Sequence, residues 1–399
     1  MMRTPNIYAN HKHDPFADVP GHFQNNKADV LYVTDREKVV TENGAVRYSY
    51  RRSGSMAYGA SIVEFGKGLS WKQLCRQSLN SKRVDLLCPV SVCEINELGR
   101  FPETPLPYVM VDGELEFEEE AYKAKLKMEE QFREEVERRL GLTSKKEAFV
   151  YIHGYHSPFE DGPGVIAQLW HFMGRVGVPI AYSWPAGQPD PIRGYQYDRE
   201  SGEFTLFHLK EFIKMLSLCK GLEKIHVVAH SRGTDVISSA LREIFIEAKA
   251  AGDDPAKRYR LGHVVLAAPD LDMEVAIQRI VAERFYMSMD KMTMYVSQND
   301  RMIGISDWIF SSKRRLGLLQ AEDISEENKG LLNILGHTDI IDANVNVGIT
   351  GHYYFYLSPA VSSDLIMLLR DNLKAGEGRP LRQIEKNFWQ LNENYPMET

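Results

Sequence analysis

Between residues 148 and 300 the chain alternates short apolar runs with longer amphipathic stretches. The runs are Ala148–His153, Pro179–Trp184, Ile225–Ala229, His263–Ala267 and Met292–Ser297. They are apolar over most of their length, the pattern of strands covered on both faces. The stretches between them are long enough for crossover helices. One carries Leu206, Leu209, Phe212, Ile213 and Leu216 on a single helical face. Alternating strands and helices predict an α/β fold, a mainly parallel sheet with helices on both sides.

The residues before this region read differently. Val30–Thr34, Arg47–Tyr50 and Tyr58–Phe65 predict further strands, the last two separated by Gly54 and Gly59. Pro102, Pro105 and Pro107 mark a loop. From Leu115 to Leu140 the apolar positions Phe117, Ala121, Ala124, Met128, Phe132, Val136 and Leu140 recur at spacings of three and four. That predicts an amphipathic helix whose charged residues form a solvated face. The expected organisation is a flexible polar arm over 1–27, strands and the amphipathic helix packed on the core over 28–147, the core itself over 148–375, and a tail over 376–399.

Composition narrows the class of partner. The 399 residues carry a formal net charge of −7, with 43% hydrophobic and 26% charged positions. That is an ordinary globular balance, and it argues against a nucleic-acid partner or an anionic membrane surface. Cys75, Cys88, Cys93 and Cys219 form no CxxC pair, so no zinc site and no other cofactor is expected. Sparse cysteine, no secretory signal and no membrane-length apolar run make the cytoplasm the expected location.

The strongest chemical signal is Val227-Val228-Ala229-His230-Ser231-Arg232-Gly233-Thr234, an apolar strand running through a serine turn into a helix. A nucleophilic serine needs such a turn, because a strained backbone pushes its hydroxyl outward and only small residues fit two positions to either side. Here those residues are Ala229, where glycine is usual, and Gly233. The following helix points free N–H groups at the same place. A second strand, Phe149–Ile152, ends in His153-Gly154-Tyr155. This turn is suited to supply the Tyr155 N–H as one half of an oxyanion hole, with the Arg232 N–H as the other. His153 reads as a brace for the turn rather than a base. Ser157-Pro158-Phe159-Glu160 predicts a capping box that opens the next helix.

A nucleophilic serine also needs a base oriented by a carboxylate, and in a fold built around this strand–turn–helix the chain order is Ser, acid, His. Asp300 follows the strand Met292–Ser297 and is the favoured acid; Asp270, with Asp272 beside it, is the alternative. His352, ahead of a helix that Ser358-Pro359 would start, is the favoured base, and His337 the alternative. His226 and His230 lie four apart, but on a strand-to-turn segment, so they share no helical face for a metal.

Taken in order, several stretches resemble one bacterial α/β-hydrolase family long catalogued as a domain of unknown function and related to lipases and esterases. They are Leu31–Arg36, His153–Tyr155, Tyr182–Pro185, Tyr197–Glu200, Ala229–Gly233, Ala267–Asp270, Tyr295–Asp300 and Gly351–Phe355. The resemblance implies a serine-hydrolase fold and leaves the substrate open. The expected function is cleavage of a small-molecule acyl ester by Ser231, Asp300 and His352. The same residues could serve an acyltransferase, thioesterase or amidase. A non-catalytic binding or scaffold protein on this fold and a metal-dependent hydrolase are the readings from other classes. Residues 186–204 suggest a lid, with Trp184, Tyr195 and Tyr197 lining an acyl pocket.

Overall fold

A computed structural model describes residues 1–9, 14–82, 88–190, 193–304, 315–320 and 336–397. Its frame is an eleven-stranded sheet. The chain enters it through β1 (Lys27–Val40), β2 (Val46–Phe65) and β3 (Val90–Arg100), which pair antiparallel. A separate hairpin, β4 (Tyr108–Val111) and β5 (Glu114–Phe117), follows. Then come β6 (Glu147–Ile152), β7 (Val178–Ser183), β8 (Lys224–His230), β9 (Leu261–Ala267), β10 (Met289–Val296) and β11 (Thr338–Asn344). Two short strands, β12 (Arg382–Glu385) and β13 (Phe388–Asn392), close the list.

The strand order is β12-β13-β11-β10-β9-β8-β6-β7-β1-β2-β3. Every pairing from β13 across to β1 is parallel. The chain moves from β6 outward to β7, then returns to place β8 on the other side of β6. That reversal makes a crevice at the carboxyl ends of β6 and β8, where α/β sheets bind their ligands.

Two apolar layers sandwich the sheet, because successive strand residues face opposite sides. Val150, Val227 and Leu266 meet Phe132, Phe212 and Leu241 on one face. Tyr151, Val228 and Val265 meet Leu169 and Leu365 on the other. The helices Glu119–Gly141, Arg193–Ser217 and Gly233–Ala250 supply the first layer, and Asp161–Phe172 and Pro359–Leu369 the second.

Several expectations are corrected. The long charged helix begins at Glu119, because Leu115 and Phe117 belong to the exposed hairpin strand β5. Gly54 and Gly59 do not split β2, since β1 and β3 pair through it: Gly59 lies opposite both Tyr32 and Glu97. The N-terminal residues are packed rather than loose. Met2 and Tyr8 are buried, Thr4 Oγ1 donates to the Ser78 carbonyl at 2.7 Å, and the Tyr8 hydroxyl donates to the Phe172 carbonyl at 2.7 Å. The C-terminal residues hold two strands of the sheet, and Arg379 in the turn before them is fully buried against Asp364 and Asp339. The capping box at Ser157 does not form. The helix starts at Asp161 after Glu160, whose side chain caps nothing, and the Ser157 carbonyl is taken by Arg36.

Candidate active site

Ser231 sits between the end of β8 and the helix Gly233–Ala250 with φ of 52°. A non-glycine residue in that left-handed region is strained and persists only where its surroundings hold it. Here they do. The Ser231 N–H donates to the Ala267 carbonyl at 3.0 Å, tying the turn to the end of β9. Its carbonyl accepts from Thr234 Oγ1 at 2.6 Å and from the Thr234 N–H at 3.0 Å.

Two glycines let the neighbouring turn press against this one. A Cβ on Gly154 would lie 2.7 Å from Ser231 Cβ and 3.3 Å from Ser231 Oγ. A Cβ on Gly233 would lie 2.4 Å from the His153 carbonyl oxygen. The smallness read at Gly233 is therefore required by the backbone of β6, and the turn 153–155 lies directly on the serine. Among the described residues, nothing accepts a hydrogen bond from the N–H of Tyr155 or of Arg232.

Asp300 follows β10, and His352 lies just ahead of the short helix Tyr354–Leu357. His352 Nδ1 donates to Asp300 Oδ2 at 2.8 Å, and both residues are buried. The other oxygen, Oδ1, accepts from the N–H groups of Met302 and Ile303, each at 3.1 Å. The carboxylate is thus held from both sides. His230 braces the histidine. Its ring packs 4.5 Å from that of His352, and its Nε2 donates to the His352 carbonyl at 3.2 Å. Burial first, and the neighbouring His352 second, push the His230 pKa far below its usual value, so it stays neutral. Among the described residues the Ser231 hydroxyl has no hydrogen-bond partner. Catalytic contacts are often open before substrate arrives.

The alternatives have other partners, although the Asp270 N–H also donates to the Ser231 carbonyl at 3.4 Å. The Asp270 carboxylate receives the Tyr195 hydroxyl at 3.3 Å and lies 3.4 Å from Arg315 Nη1. His337 precedes β11, at the end of the sheet opposite Ser231, where its exposed ring meets the Asp290 carbonyl. His226 is a structural residue: Nε2 donates to Glu147 at 2.9 Å and Nδ1 accepts from the His263 N–H at 3.0 Å. Among the described residues no group of three or more His, Cys, Asp or Glu could hold a metal ion.

The expected aromatic lining is also revised. Trp184 is fully buried, stacks on His153 with centroids 5.1 Å apart, and donates from Nε1 to the His153 carbonyl at 2.8 Å. Tyr197 lies under Arg52, 4.9 Å from ring centroid to guanidinium. The segment read as a lid is largely the first turns of the helix Arg193–Ser217, though 191–192 lie outside the described residues. Tyr195 borders a cavity of about 370 Å³ also lined by Arg199, Arg232, Asp235, Asp270, Arg279 and Arg315. Arg232 Nη2 and Arg279 Nη1 both reach Asp235, at 2.8 and 2.9 Å. Sequence reasoning gave no role to Arg36 or Asp198, although both stand in stretches singled out above. Asp198 is buried and accepts the N–H groups of His156 at 2.9 Å and Gly187 at 3.2 Å.

A mostly parallel sheet covered on both faces, with a strained strand-to-helix turn at its switch point, is the α/β-hydrolase fold. The chain belongs to the family described as "Alpha/beta hydrolase of unknown function (DUF900)", which matches residues 128–370. No curated protein matches it. The solved structures that the chain matches include two with low structural similarity. One is a lipase-esterase related protein from Clostridium acetobutylicum ATCC 824, at 9% identity and TM-score 0.30, covering 58% of this chain and 96% of that one. The other is an esterase from Pyrobaculum calidifontis, at 11% identity and TM-score 0.27, covering 61% of this chain and 93% of that one. Among the described residues no helix is long and apolar enough to cross a membrane.

Proposed function

We propose that the chain is a serine hydrolase that cleaves a small-molecule acyl ester through a covalent acyl-enzyme. The observation that supports this reading is the buried Asp300–His352 hydrogen bond, with the His352 ring packed on His230, the residue next to a serine held at φ of 52°. Ser231 Oγ attacks the acyl carbon while its proton passes to His352 Nε2. Asp300 keeps the proton of His352 on Nδ1, which leaves Nε2 free to accept. The oxyanion that forms is met by the N–H groups of Tyr155 and Arg232. On collapse the acyl–oxygen bond breaks, and His352 returns the proton to the leaving alcohol. Water, activated by the same histidine, then releases the acid and restores the serine. This route needs no cofactor. A thioesterase, amidase or acyltransferase would use the same groups with a different leaving group or acceptor.

The charged cavity beside Arg232 supports short or polar substrates over long acyl chains, because an apolar chain there would strand buried ion pairs without water. The test is fluorophosphonate labelling of the folded chain, followed by a series of 4-nitrophenyl esters of rising chain length. Label on the wild type, none on Ser231→Ala, and a rate that falls as the chain lengthens are expected. An unlabelled wild type refutes the nucleophile. A rate that rises to long chains refutes the substrate class.

A further inference from the structure

Arg36 is almost fully buried, and among the described residues no carboxylate forms a hydrogen bond or ion pair with its guanidinium, the charges of Asp35 and Asp198 acting on it only from a distance. It stands on β1 just past Leu31–Thr34, the stretch that pairs with β7. The pairing of β1 with β2 slips on both sides of it, between Thr34 and Arg36 and again between Arg36 and Lys38. Bulges of this kind re-aim a side chain, and they gather next to active sites.

The re-aimed guanidinium uses every donor it has. Nε donates to Ser183 Oγ at 3.0 Å. Nη1 donates to the carbonyls of Ala186 at 2.8 Å and Ser49 at 3.3 Å. Nη2 donates to the Ser157 carbonyl at 2.7 Å and to His153 Nε2 at 3.2 Å. Burying a cation among neutral acceptors is costly and calls for a reason.

The contact with His153 supplies one. A guanidinium donates and never accepts. Its neighbour Nε2 must therefore be the bare nitrogen of the imidazole, and the proton sits on Nδ1. Nδ1 lies 2.9 Å from the Gly154 carbonyl oxygen and donates to it. Burial first, and the Arg36 charge second, push the His153 pKa down to about 3, so the ring stays neutral. The peptide from Gly154 to Tyr155 is planar and trans, so its C=O and N–H point in opposite directions. Holding the oxygen on His153 turns the Tyr155 N–H the other way.

Resting on the serine-hydrolase reading, we propose that Arg36 is a positioning residue for the oxyanion hole: it selects the His153 tautomer that pins the Gly154 carbonyl and thereby aims the Tyr155 N–H at the substrate. Asp198 completes the arrangement from the far side, where it takes the next N–H of the same turn, that of His156. The two family stretches without a role, one around Arg36 and one around Asp198, thus act on one peptide turn.

The experiment compares wild type, Arg36→Met, Arg36→Lys and His153→Phe. Phenylalanine keeps a ring stacked on Trp184 and removes the donor to Gly154. Each folded protein is assayed for kcat and KM on a 4-nitrophenyl ester, for fluorophosphonate labelling, and for the His153 tautomer by side-chain ¹⁵N NMR where that histidine remains. The wild type is expected to show the Nδ1–H form. Arg36→Met and His153→Phe are each expected to lose about 10²- to 10³-fold in kcat with KM nearly unchanged, the loss typical of one missing oxyanion donor. Arg36→Lys retains a donor for His153 and is expected to recover part of the loss. If Arg36→Met does not fold, His153→Phe carries the kinetic test and the wild-type spectrum carries the tautomer. An Nε2–H tautomer in wild type overturns the proposal, as does a folded His153→Phe or Arg36→Met with wild-type kcat. In each of those cases a labelled wild type leaves the hydrolase reading standing, whereas an unlabelled wild type removes both.

Discussion

Replacing Gly154 by alanine tests the site at its tightest point. The new Cβ would lie 2.7 Å from Ser231 Cβ and 3.1 Å from the His230 carbonyl oxygen. Carbon atoms in contact settle at about 3.5–4.0 Å, so the overlap with the serine is about 1 Å. Neither obstacle is the loose end of a side chain. One is the first carbon of the strained serine, and the other is strand backbone. The turn and the serine must therefore separate, which costs about 1–3 kcal/mol as overpacking. Separation by about 1 Å between oxyanion donor and nucleophile costs about 10²-fold in rate. The assay is the rate of fluorophosphonate labelling of Ser231, read beside the urea midpoint. Gly164→Ala is the control. A Cβ there meets nothing within 4 Å, inside the helix Asp161–Phe172. It is expected to stabilise by about 0.5–1 kcal/mol through helix propensity alone. Labelling of Gly154→Ala within about threefold of wild type would refute the claim that the two turns are in obligatory close contact.

Asp300→Asn is expected to lower kcat by about 10³- to 10⁴-fold, and Asp270→Asn by far less, in the same ester assay; the reverse order would move the acid role to Asp270. Asp364 accepts Arg379 Nη1 at 2.8 Å and the hydroxyls of Tyr295 and Tyr395, each at 2.6 Å. Asp364→Ala leaves that buried arginine poorly compensated and is expected to cost about 3–5 kcal/mol in urea unfolding, a loss under about 1 kcal/mol being contrary. Stability should also fall in mild acid. The pKa of His153 drops from 6.5 to about 3 on folding, so the unfolded chain takes up a proton that the folded chain refuses once the pH falls below 6.5. That effect grows down to about pH 3 and amounts to about 2 kcal/mol for this residue at pH 5. His230 adds to it in the same direction. Thermal midpoints measured from pH 7.5 to 5 check this, and a flat profile would contradict it.

The central strands were legible because burial on both faces makes them apolar runs. The strands from β6 to β10 lie where those runs predict, with β9 and β10 starting at Leu261 and Met289 rather than His263 and Met292. The serine turn and the His153-Gly154 turn were legible because each follows a strand's carboxyl end, and the hydrogen bond between Asp300 and His352 joins the two residues that the chain order paired. The elements added at the edges were not. Arg382–Glu385 in β12 is mostly exposed and charged, and its pairing depends on a partner strand that local pattern does not reveal. Met2 and Tyr8 are isolated apolar residues in a polar stretch, buried only through contacts far along the chain. Ser157 carried a local capping signal, yet its carbonyl serves Arg36, a partner 121 residues away. Arg36 lies just past the strand predicted over Val30–Thr34, and no spacing rule marks a guanidinium that a bulge turns inward.

The site draws its parts from regions of unequal local stability. Ser231 and the turn at His153 hang from β8 and β6, in the middle of the sheet and buried along nearly their whole length. Asp300 and His352 come from connections nearer one side of the sheet, each just ahead of a short helical segment. Amides in β6 and β8 are expected to exchange only with global opening, and those around Asp300 and His352 through smaller local openings, which hydrogen exchange would read directly. On the proposed reading, the serine turn and the His153 turn belong to the most stable part of the sheet, and the Asp300–His352 pair to its periphery. Mild denaturant should silence turnover while the sheet is still intact.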